Sequence, residues 1–387
     1  MKSGRDVIVV GGGLIGTATA WRLALRGLRV TLIERGSPGR EATWAAGGML
    51  APLSEADQDD AFLRLTRESL RAYPAFVAEV ERASGLQVEY RPEGTLYLVL
   101  TDADEEELTH RWAWQQKAGL PVARLSAKEV LELEPGLNPA LRWALLFPED
   151  HQVNNRRLSE ALTLAARRAG VEMMVETTVR RLLIEQTAGQ ARITGVETDR
   201  GPIQASTVLL AAGAWSGQLL EGIVPAYRVE PVRGQMVSLE MPTVPLRHVV
   251  YSARGYLVPR LGGHLIAGST TERVGYDRRV TAEGLASILD IGREILPSIA
   301  HQPILEIWAG LRPCSEDGWP ILGPDPTVAG LFHATGHYRN GILLTPITAE
   351  ALTGMIAQGD ASALLAPFSL SRLTCSSGLP AAAAPSL

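Results

Sequence analysis

The sequence predicts an α/β fold interleaved with an α+β domain that contains an antiparallel sheet. Three observations support this: a glycine-rich turn between the first strand and a helix, similar strands around residues 171–210, and short alternating strands after Val229. At 387 residues the chain exceeds one usual hydrophobic core. We therefore expect two domains.

The first predicted strand, residues 7–10, leads into Gly11-Gly-Gly13-Leu-Ile-Gly16. Gly11 allows a tight turn, Gly13 lets the backbone approach a pyrophosphate, and Gly16 permits close packing of a helix predicted over residues 18–26. A second strand, residues 28–33, ends at Glu34. Its carboxylate can accept both ribose hydroxyls and would repel a 2′-phosphate, so a Rossmann-like domain that binds FAD or NAD is predicted rather than one that binds NADP.

The same N-terminus also resembles a secretory signal, because Lys2 and Arg5 precede an apolar run that ends in Ala18-Thr-Ala20. Three consecutive glycines interrupt that run, and cleavage there would discard the whole glycine motif. The run is also shorter than the roughly 20 apolar residues that span a bilayer. The nucleotide-binding interpretation is therefore preferred, and no membrane partner is expected.

Composition argues against several other classes. With 46% hydrophobic residues, 20% charged residues and a net charge of −5, the chain lacks the basic excess of a nucleic-acid-binding protein. Cys314 and Cys375 offer neither a disulfide framework nor metal-ligand spacing, so we expect a cytoplasmic protein without a metal site. Of the 37 basic residues only three are lysine. A single arginine is therefore a weak functional clue here.

The middle of the chain alternates between helical and strand patterns. Helices are predicted over residues 60–83, 102–120 and 155–169, the second solvated and capped by Thr101 or Asp102, with strands over 94–100, 171–175, 192–198 and 206–210. The last strand runs into the small-residue turn Ala211-Ala-Gly213-Ala-Trp215. Such a turn suits either a flat or phosphorylated ligand or merely a tight connection, and the sequence leaves both open.

From Val229 the pattern changes to short strands over residues 236–240, 256–259 and 265–268, with Gly262-Gly263 as a hairpin turn. An antiparallel sheet beside a Rossmann-like domain forms a cleft, where ligands usually bind. Residues 374–387 are predicted to be a disordered tail.

Two arginines bracket what the sequence suggests is one loop region. Arg312 lies in Gly310-Leu-Arg312-Pro, and Arg339 lies in Gly336-His-Tyr-Arg339-Asn-Gly341-Ile342, ahead of an apolar helix over residues 348–356. The planar guanidinium can bind a carboxylate through two parallel hydrogen bonds. On spacing alone, a surface or sheet-edge arginine explains each position equally well.

The glycine motif with Glu34-Arg35, the segment Ala42-Thr-Trp-Ala-Ala-Gly47-Gly48-Met49, the turn at residues 211–216, Tyr256-Leu-Val-Pro and the two arginine segments together resemble the D-amino-acid-oxidase-like flavoenzymes. The likeness covers about residues 5 to 370 and is greatest to the glycine oxidase branch of thiamine biosynthesis. It implies a GR2-type flavoprotein fold. The implied FAD-binding domain comprises residues 1–84, 141–222 and 306–373, and the substrate domain comprises residues 85–140 and 223–305.

The resemblance also implies non-covalent FAD. The residues it assigns to the cofactor are Gly11, Gly13, Leu14, Ile15, Gly16, Glu34, Arg35, Ala42, Thr43, Gly47, Gly48, Met49, Val179, Gly213, His337, Tyr338, Arg339, Asn340, Gly341, Ile342 and Leu343.

For the substrate, the resemblance implies that Arg312 binds the carboxylate, that Arg339 and Tyr256 lie beside it, and that Met49 and Thr271 line the pocket. The family's glycine oxidases can carry a methionine where this chain has Thr271, so side-chain preference is expected to differ. A strand tyrosine without a catalytic role remains the alternative for Tyr256.

The implied reaction is hydride transfer from the α-carbon of glycine, another small amine or a D-amino acid to flavin N5, without a side-chain base. The imine hydrolyses to an oxoacid and ammonia, and O2 is reduced to H2O2. The resemblance further implies a homotetramer and a supply of glyoxylate imine for thiamine thiazole synthesis.

A D-amino-acid dehydrogenase that passes electrons to quinone would share the first half of the reaction. A sarcosine oxidase with covalent flavin is disfavoured, because the family alignment puts the attachment position at Gly310 rather than Cys314. The chain lacks the Tyr-x-x-x-Lys of short-chain dehydrogenases and the paired cysteines of disulfide reductases. A flavin-binding protein without turnover also stays open.

Overall fold

The computed structural model describes residues 6–187, 189–220, 227–241 and 246–374. Its strands are β1 (Asp6–Val10), β2 (Arg29–Ile33), β3 (Met49–Leu50), β4 (Thr95–Val99), β5 (Ala123–Ser126), β6 (Trp143–Phe147), β7 (His151–Gln152), β8 (Glu172–Met174), β9 (Val179–Thr187), β10 (Gln190–Thr198), β11 (Gly201–Gln204), β12 (Thr207–Leu210), β13 (Val229–Glu240), β14 (Val249–Ser252), β15 (Gly255–Arg260), β16 (His264–Gly268), β17 (Ile304–Ser315), β18 (Ile321–Pro324), β19 (Val328–Ala329) and β20 (Leu331–Thr335).

The helices are α1 (Leu14–Leu25), α2 (Ala42–Ala45), α3 (Ala61–Ser84), α4 (Asp102–Lys117), α5 (Ala127–Leu133), α6 (Asn155–Arg168), α7 (Ala282–Ile295), α8 (Thr345–Gln358) and α9 (Ser371–Thr374). Short 3₁₀ segments cover Gly213–Leu220, Pro297–His301 and Ala366–Phe368. Residues 375–387 of the predicted disordered tail lie outside the described residues.

Six described strands form a Rossmann-like sheet in the order β18-β20-β12-β1-β2-β8. β1 pairs in parallel with β2 on one side and with β12 on the other, and the antiparallel β18 closes one edge. Helices α1, α6 and α8 pack together beside this sheet. They share an apolar core with it, in which Val9, Leu32 and Leu209 are fully buried. α1 begins at Leu14, four residues before the helix start that the sequence predicted.

The second sheet has eight described strands in the order β17-β13-β16-β15-β14-β4-β6-β5. Its pairings are antiparallel except for β4 with β14, and α7 packs against it. Gly262 and Gly263 both have positive φ and lie in the three-residue turn, residues 261–263, that joins β15 and β16 as a hairpin. The predicted fold class, an α/β domain with a second domain built on a largely antiparallel sheet, is confirmed.

The position of Arg312 differs from the sequence interpretation. The segment that we expected to be a loop region is the long strand β17, which runs along β13 in the eight-stranded sheet and carries Arg312 near its C-terminal end. The N-terminal residues of β17 are exposed and do not alternate, and a glycine follows in Trp308-Ala-Gly310, so the sequence pattern did not indicate a strand. β6 and β17 both join the second sheet, although their residues fall in segments that the sequence assigned to the FAD-binding domain. The domain division itself stays a prediction.

Helix α4 is also more than a solvated surface helix. Thr101 caps it through a capping box with Asp104, as the sequence allowed. One of its faces, however, is buried and carries Arg111 and Gln115. These two residues hold a loop of the candidate site, as described below. Among the described helices, none combines the length and the apolar composition needed to cross a membrane.

Candidate active site

A cavity of about 280 Å³ lies between the two sheets. Its lining joins the glycine turn after β1 to residues of β13, β15 and β17. The predicted site residues that line it are Gly11, Gly13, Leu14, Ile15, Glu34, Arg35, Ala42, Thr43, Gly47, Gly48, Met49, Val179, Gly213, Tyr256, Arg312, His337, Tyr338, Arg339, Asn340, Gly341 and Ile342.

Three predicted residues do not line the cavity. Gly16 lies beneath the turn, where an added Cβ would be 2.1 Å from the Gly11 carbonyl oxygen. Leu343 is buried in the core, and its carbonyl accepts a hydrogen bond from Ser69. Thr271 is exposed, just beyond the end of β16. The structure therefore gives no support to Thr271 as a pocket residue.

The glycines at the start of α1 have distinct roles. Gly11 has a φ of 110°, and a Cβ there would lie 2.3 Å from the Ala211 carbonyl oxygen, so only glycine fits. A Cβ on Gly13 would meet no protein atom closer than Thr43 Oγ1 at 3.5 Å. Protein packing therefore does not demand glycine at position 13. The space in front of it belongs to the cavity, at the positive end of α1.

Glu34 is fixed at another part of the cavity wall. Its Oε2 accepts from the Gly12 N–H at 2.8 Å and its Oε1 accepts from the Gly36 N–H at 2.9 Å. Beside it the Arg35 guanidinium stacks on Trp215, 3.6 Å from the ring centroid. At the N-terminus of α1 the Thr43 Oγ1 accepts a hydrogen bond from the Leu14 N–H at 3.2 Å. This helix N-terminus together with an oriented carboxylate fits the pyrophosphate and ribose of a dinucleotide.

The loop that carries Gly47 and Gly48 is held from behind by Arg260. The Arg260 guanidinium donates to the Gly47 carbonyl at 2.5 Å, to the Val153 carbonyl at 3.0 Å and to Asn155 Oδ1 at 3.2 Å. Burial lowers the pKa of Arg260 to about 10. It therefore remains charged at neutral pH, a buried cation against the wall of the cofactor cavity.

Arg312 reaches the cavity from β17. Its guanidinium donates to Ser269 Oγ at 2.6 Å and to the Thr270 carbonyl at 3.1 Å. Among the described residues it forms no ion pair with a carboxylate. Burial lowers the pKa of Arg312 from its ordinary value, so this cation lacks full compensation. An anionic ligand group would supply it.

Gly234, on the neighbouring strand β13, makes room for that guanidinium. A Cβ at Gly234 would lie 2.4 Å from both terminal nitrogens of Arg312. The side chain of Arg312 therefore crosses directly over the Gly234 backbone.

Two tyrosines form the wall beside these strands. Tyr256 is 5% exposed, lines the cavity and places its hydroxyl 3.4 Å from Met236 Sδ. Its ring packs on that of Tyr251 with centroids 5.4 Å apart. Tyr251 donates to Glu55 Oε1 at 2.9 Å and lies 3.4 Å from Met49 Sδ. Burial raises the pKa of Tyr251 well above 10, so its hydroxyl stays protonated and acts as a donor.

Arg339 has a different environment from Arg312. Its Nη2 lies 3.4 Å from Glu55 Oε1, and the two side chains are only 18% and 17% exposed. Glu55 raises the pKa of Arg339 above its ordinary value. Arg312 and Arg339 thus differ: Arg339 has a carboxylate partner and Arg312 has neutral partners.

His337 begins the segment that closes the cavity near Arg339. Burial lowers the pKa of His337 to about 3, and its Nε2 lies 3.3 Å from Thr348 Oγ1. The imidazole is therefore neutral at physiological pH. Its proton affinity is too low for an effective general base.

Cys314 does not offer an accessible attachment point for a cofactor. Its side chain is 4% exposed, and burial raises the pKa of its thiol. At position 310 a side chain would meet Ala45, because an added Cβ lies 2.2 Å from the Ala45 Cβ. Both observations favour non-covalent binding, as the resemblance implied.

The family model for FAD dependent oxidoreductases, DAO, matches residues 6–355. The chain belongs to this family. FAD is accordingly its cofactor, and the glycine turn, Glu34 and the Gly47-Gly48 loop are the parts of the cavity that fit it.

Similar proteins agree with this family. The chain is 38% identical to a glycine oxidase of Pseudomonas aeruginosa over 91% of its own length and 94% of the relative. It is 37% identical to a bifunctional protein ThiO/ThiG of Trichormus variabilis over 95% of this chain and 55% of that protein. The crystal structure of glycine oxidase from Geobacillus kaustophilus superposes with a TM-score of 0.89 at 35% identity, covering 95% of this chain and 98% of that one.

Sequence reasoning missed several residues of this FAD-dependent oxidoreductase's cavity. Glu55, Gly234 and Met236 line it, and Ser269 and Arg260 hold other lining groups. Glu55 stands among several acidic residues at 55–60, and nothing in that run distinguishes it. Gly234 alone carried a usable indication, because glycine inside a strand often marks the close approach of another group.

Proposed function

We propose that this FAD-dependent oxidoreductase is a glycine oxidase-like enzyme that oxidatively deaminates glycine and other small amines or D-amino acids. The products are an oxoacid, ammonia and H2O2, with glyoxylate as the oxoacid from glycine. The observation that carries the proposal is Arg312, a guanidinium without a carboxylate partner in the cavity that fits FAD.

Arg312 binds the substrate carboxylate and thereby orients the α-carbon. Ser269 and Thr270 hold the guanidinium in place from behind, and Gly234 gives it space. Fixing one end of a small substrate in this way can supply several kcal/mol, about 7 at the favourable end. Tyr256 lies on the same wall, where its hydroxyl is a candidate second donor to the carboxylate.

The residues around the cavity are consistent with a reaction that needs no side-chain base. His337 is neutral and hydrogen-bonded, and Glu55 is engaged by Tyr251 and Arg339. The substrate must therefore enter with its amine neutral or lose a proton to water. When bound, FAD accepts the hydride and passes the electrons on to O2.

An anaerobic flavin-bleaching panel tests this function. Purified holoenzyme is mixed without oxygen with glycine, sarcosine, D-alanine, D-proline or the L-counterparts, and the 450 nm absorbance of the flavin is followed. We expect bleaching by glycine and by the D-forms, followed by peroxide on admission of air. Bleaching without peroxide would indicate the quinone-linked dehydrogenase instead. No bleaching by any amine would favour a flavin protein without turnover.

We also propose that the enzyme supplies glyoxylate imine for thiamine thiazole synthesis. The support is its similarity to a relative in which such a chain is joined to a second protein, named ThiG. A strain that lacks this chain should need added thiazole for growth, and a strain with the Arg312→Ala variant should need it too. Growth of both strains without thiazole would contradict this role.

We place the enzyme in the cytoplasm as a homotetramer. Ile304, Leu305 and Ile307 are 45 to 48% exposed on the edge strand β17, an apolar group that subunit contact would cover. Light scattering coupled to size exclusion measures the assembly directly, and a monomer at micromolar concentration would contradict it.

A further inference from the structure

Four described arginines line the cavity, and two of them, Arg35 and Arg40, stack on Trp215 and Trp44. Of the other two, Arg312 and Arg339, only Arg312 has a guanidinium that is ready to receive an anion. Arg312 is bound by Ser269 and the Thr270 carbonyl, which carry no charge. Arg339 lies 3.4 Å from the carboxylate of Glu55. An incoming carboxylate therefore gains full charge pairing at Arg312. At Arg339 it would first have to compete with Glu55.

Two donors, Tyr251 and Arg339, hold the carboxylate of Glu55 through the same oxygen, Oε1. Tyr251 donates to its Oε1 at 2.9 Å, and that phenol is itself fully enclosed between the rings of Tyr97 and Tyr256. Burial keeps Tyr251 protonated. Moving Glu55 away from Arg339 would leave a buried hydroxyl and a buried guanidinium without their partner, which is costly.

The backbone around Glu55 is fixed as well. Asp150 accepts from the N–H groups of Leu53 and Ser54, at 3.1 and 2.9 Å. Arg111 of α4 donates to the carbonyls of the two residues that flank Glu55, Ser54 at 3.0 Å and Ala56 at 2.5 Å. This explains the buried face of α4. The loop that presents Glu55 is held from both sides and does not swing out to make way for a second anion.

We propose that Glu55 is a specificity-determining residue which, by occupying Arg339, restricts this site to substrates with a single carboxylate. This inference rests on the proposed function, in which Arg312 binds the one carboxylate of an amino acid. A second carboxylate on the substrate would meet Glu55 in a poorly solvated cavity, where repulsion between like charges is strong. Amino dicarboxylates and N-carboxymethyl amino acids, which carry a second carboxylate, are therefore excluded by charge rather than by size.

The experiment compares diacids with their half-amides, which have nearly the same shape but one charge fewer. Malonate, succinate and glutarate, each with its half-amide, are titrated into the holoenzyme, and binding is read from the change in flavin absorbance. Three chain lengths are used so that one matches the gap between the two guanidinium groups. The wild type should bind each half-amide more tightly than its diacid.

In E55Q the amide can still accept from Tyr251, but the negative charge at Arg339 is gone. We expect the ratio of diacid to half-amide affinity to rise by about tenfold or more for at least one chain length. Arg339→Gln should move the same ratio the opposite way, because Glu55 then faces the ligand uncompensated. The Arg339→Gln variant therefore tests the proposal through the same affinity ratio even if E55Q does not retain FAD.

Glu230→Gln is the matched control, since Glu230 pairs with Arg273 at 2.6 Å on the exposed surface and neither residue lines the cavity. The ratio of diacid to half-amide affinity of this variant should equal that of the wild type. A wild type that prefers diacids, or an unchanged ratio in holo E55Q, would overturn the proposal, because a merely structural Glu55 alters both affinities together. Bleaching by glycine is measured on the same preparations. Its absence in the wild type would remove the proposed function, whereas the ratios alone decide the role of Glu55.

Discussion

Replacing Gly234 with alanine should displace Arg312 without disturbing the strand that carries the change. Gly234 lies within β13, and its φ is not positive, so alanine adopts its backbone conformation without strain. The new Cβ would be 2.4 Å from Arg312 Nη1 and Nη2 and 2.5 Å from Cζ. Non-bonded contacts settle near 3.5 Å, so the guanidinium must move by about 1 Å.

A shift of that size has a calculable consequence. The bonds from Arg312 to Ser269 at 2.6 Å and to Thr270 at 3.1 Å would stretch towards the limit of a hydrogen bond. Hydrogen bonds to a charged group contribute about 1.5 to 3 kcal/mol, and a misplacement of about 1 Å can lower the rate about 100-fold. We expect kcat/KM for glycine to fall about 100-fold, mostly through KM.

The assay is steady-state oxidation of glycine with peroxide detection, together with the dissociation constant of glycolate from flavin absorbance. Gly217→Ala serves as the control, because its Cβ would meet Val229 at an ordinary 3.7 Å and Gly217 does not line the cavity. If G234A bound glycolate and glycine within twofold of the wild type, Arg312 would not be the carboxylate site.

Three further predictions follow from the same geometry. Arg312→Ala should raise KM for amino-acid substrates by about 10² to 10³, since a charged, partly buried contact of roughly 3 to 5 kcal/mol is lost; an unchanged KM in steady-state assays would remove the substrate assignment. Gly13→Ala should weaken FAD binding by about tenfold or more while the apoprotein keeps its melting temperature, because the methyl group meets no protein atom within 3.4 Å and occupies space at the helix N-terminus; equilibrium dialysis against FAD measures this, and wild-type affinity would contradict it. Asp150→Asn should flatten the pH dependence of stability. Burial raises the pKa of Asp150 from 3.8 to about 7, so its contribution to the free energy of unfolding is fully present below about pH 4 and is lost as pH rises to about 7. The loss is on the order of 2 to 4 kcal/mol. Urea unfolding at pH 4.5 and 7.5 should show a smaller difference for the variant, and equal differences would refute the assignment.

The sequence predicted the nucleotide-binding half of this fold well, because its requirements are local. Gly11 must adopt a positive φ, Gly16 must allow close packing, and Glu34 must end the neighbouring strand. The residues that meet these requirements lie within 30 positions of one another in the sequence. Strands β1 and β2 were predicted from their runs of apolar, largely β-branched residues.

The substrate half was predicted less completely, because its contacts join segments distant in sequence. β17 escaped notice since its N-terminal residues are exposed and do not alternate, and only pairing with β13 makes it a strand. Arg312 was therefore placed in a loop region, and only the resemblance assigned it to the substrate carboxylate. Helix α7 and strand β9 were not predicted, although both are amphipathic or β-rich segments.

Arg312 and Arg339 show most clearly which property of a site residue cannot be inferred from sequence spacing. In the sequence Arg312 and Arg339 are alike: each follows a glycine within three residues, Gly310 and Gly336, and each suits a carboxylate. In the structure their difference comes entirely from a third residue, Glu55, which is 284 residues from Arg339 along the chain. The charge of a side chain follows from its residue type. Whether that charge is available to a ligand depends on the partner that the fold brings to it. We therefore propose Arg312 rather than Arg339 as the anion-binding residue of this cavity, because the fold pairs Arg339 with Glu55 and gives Arg312 only neutral partners.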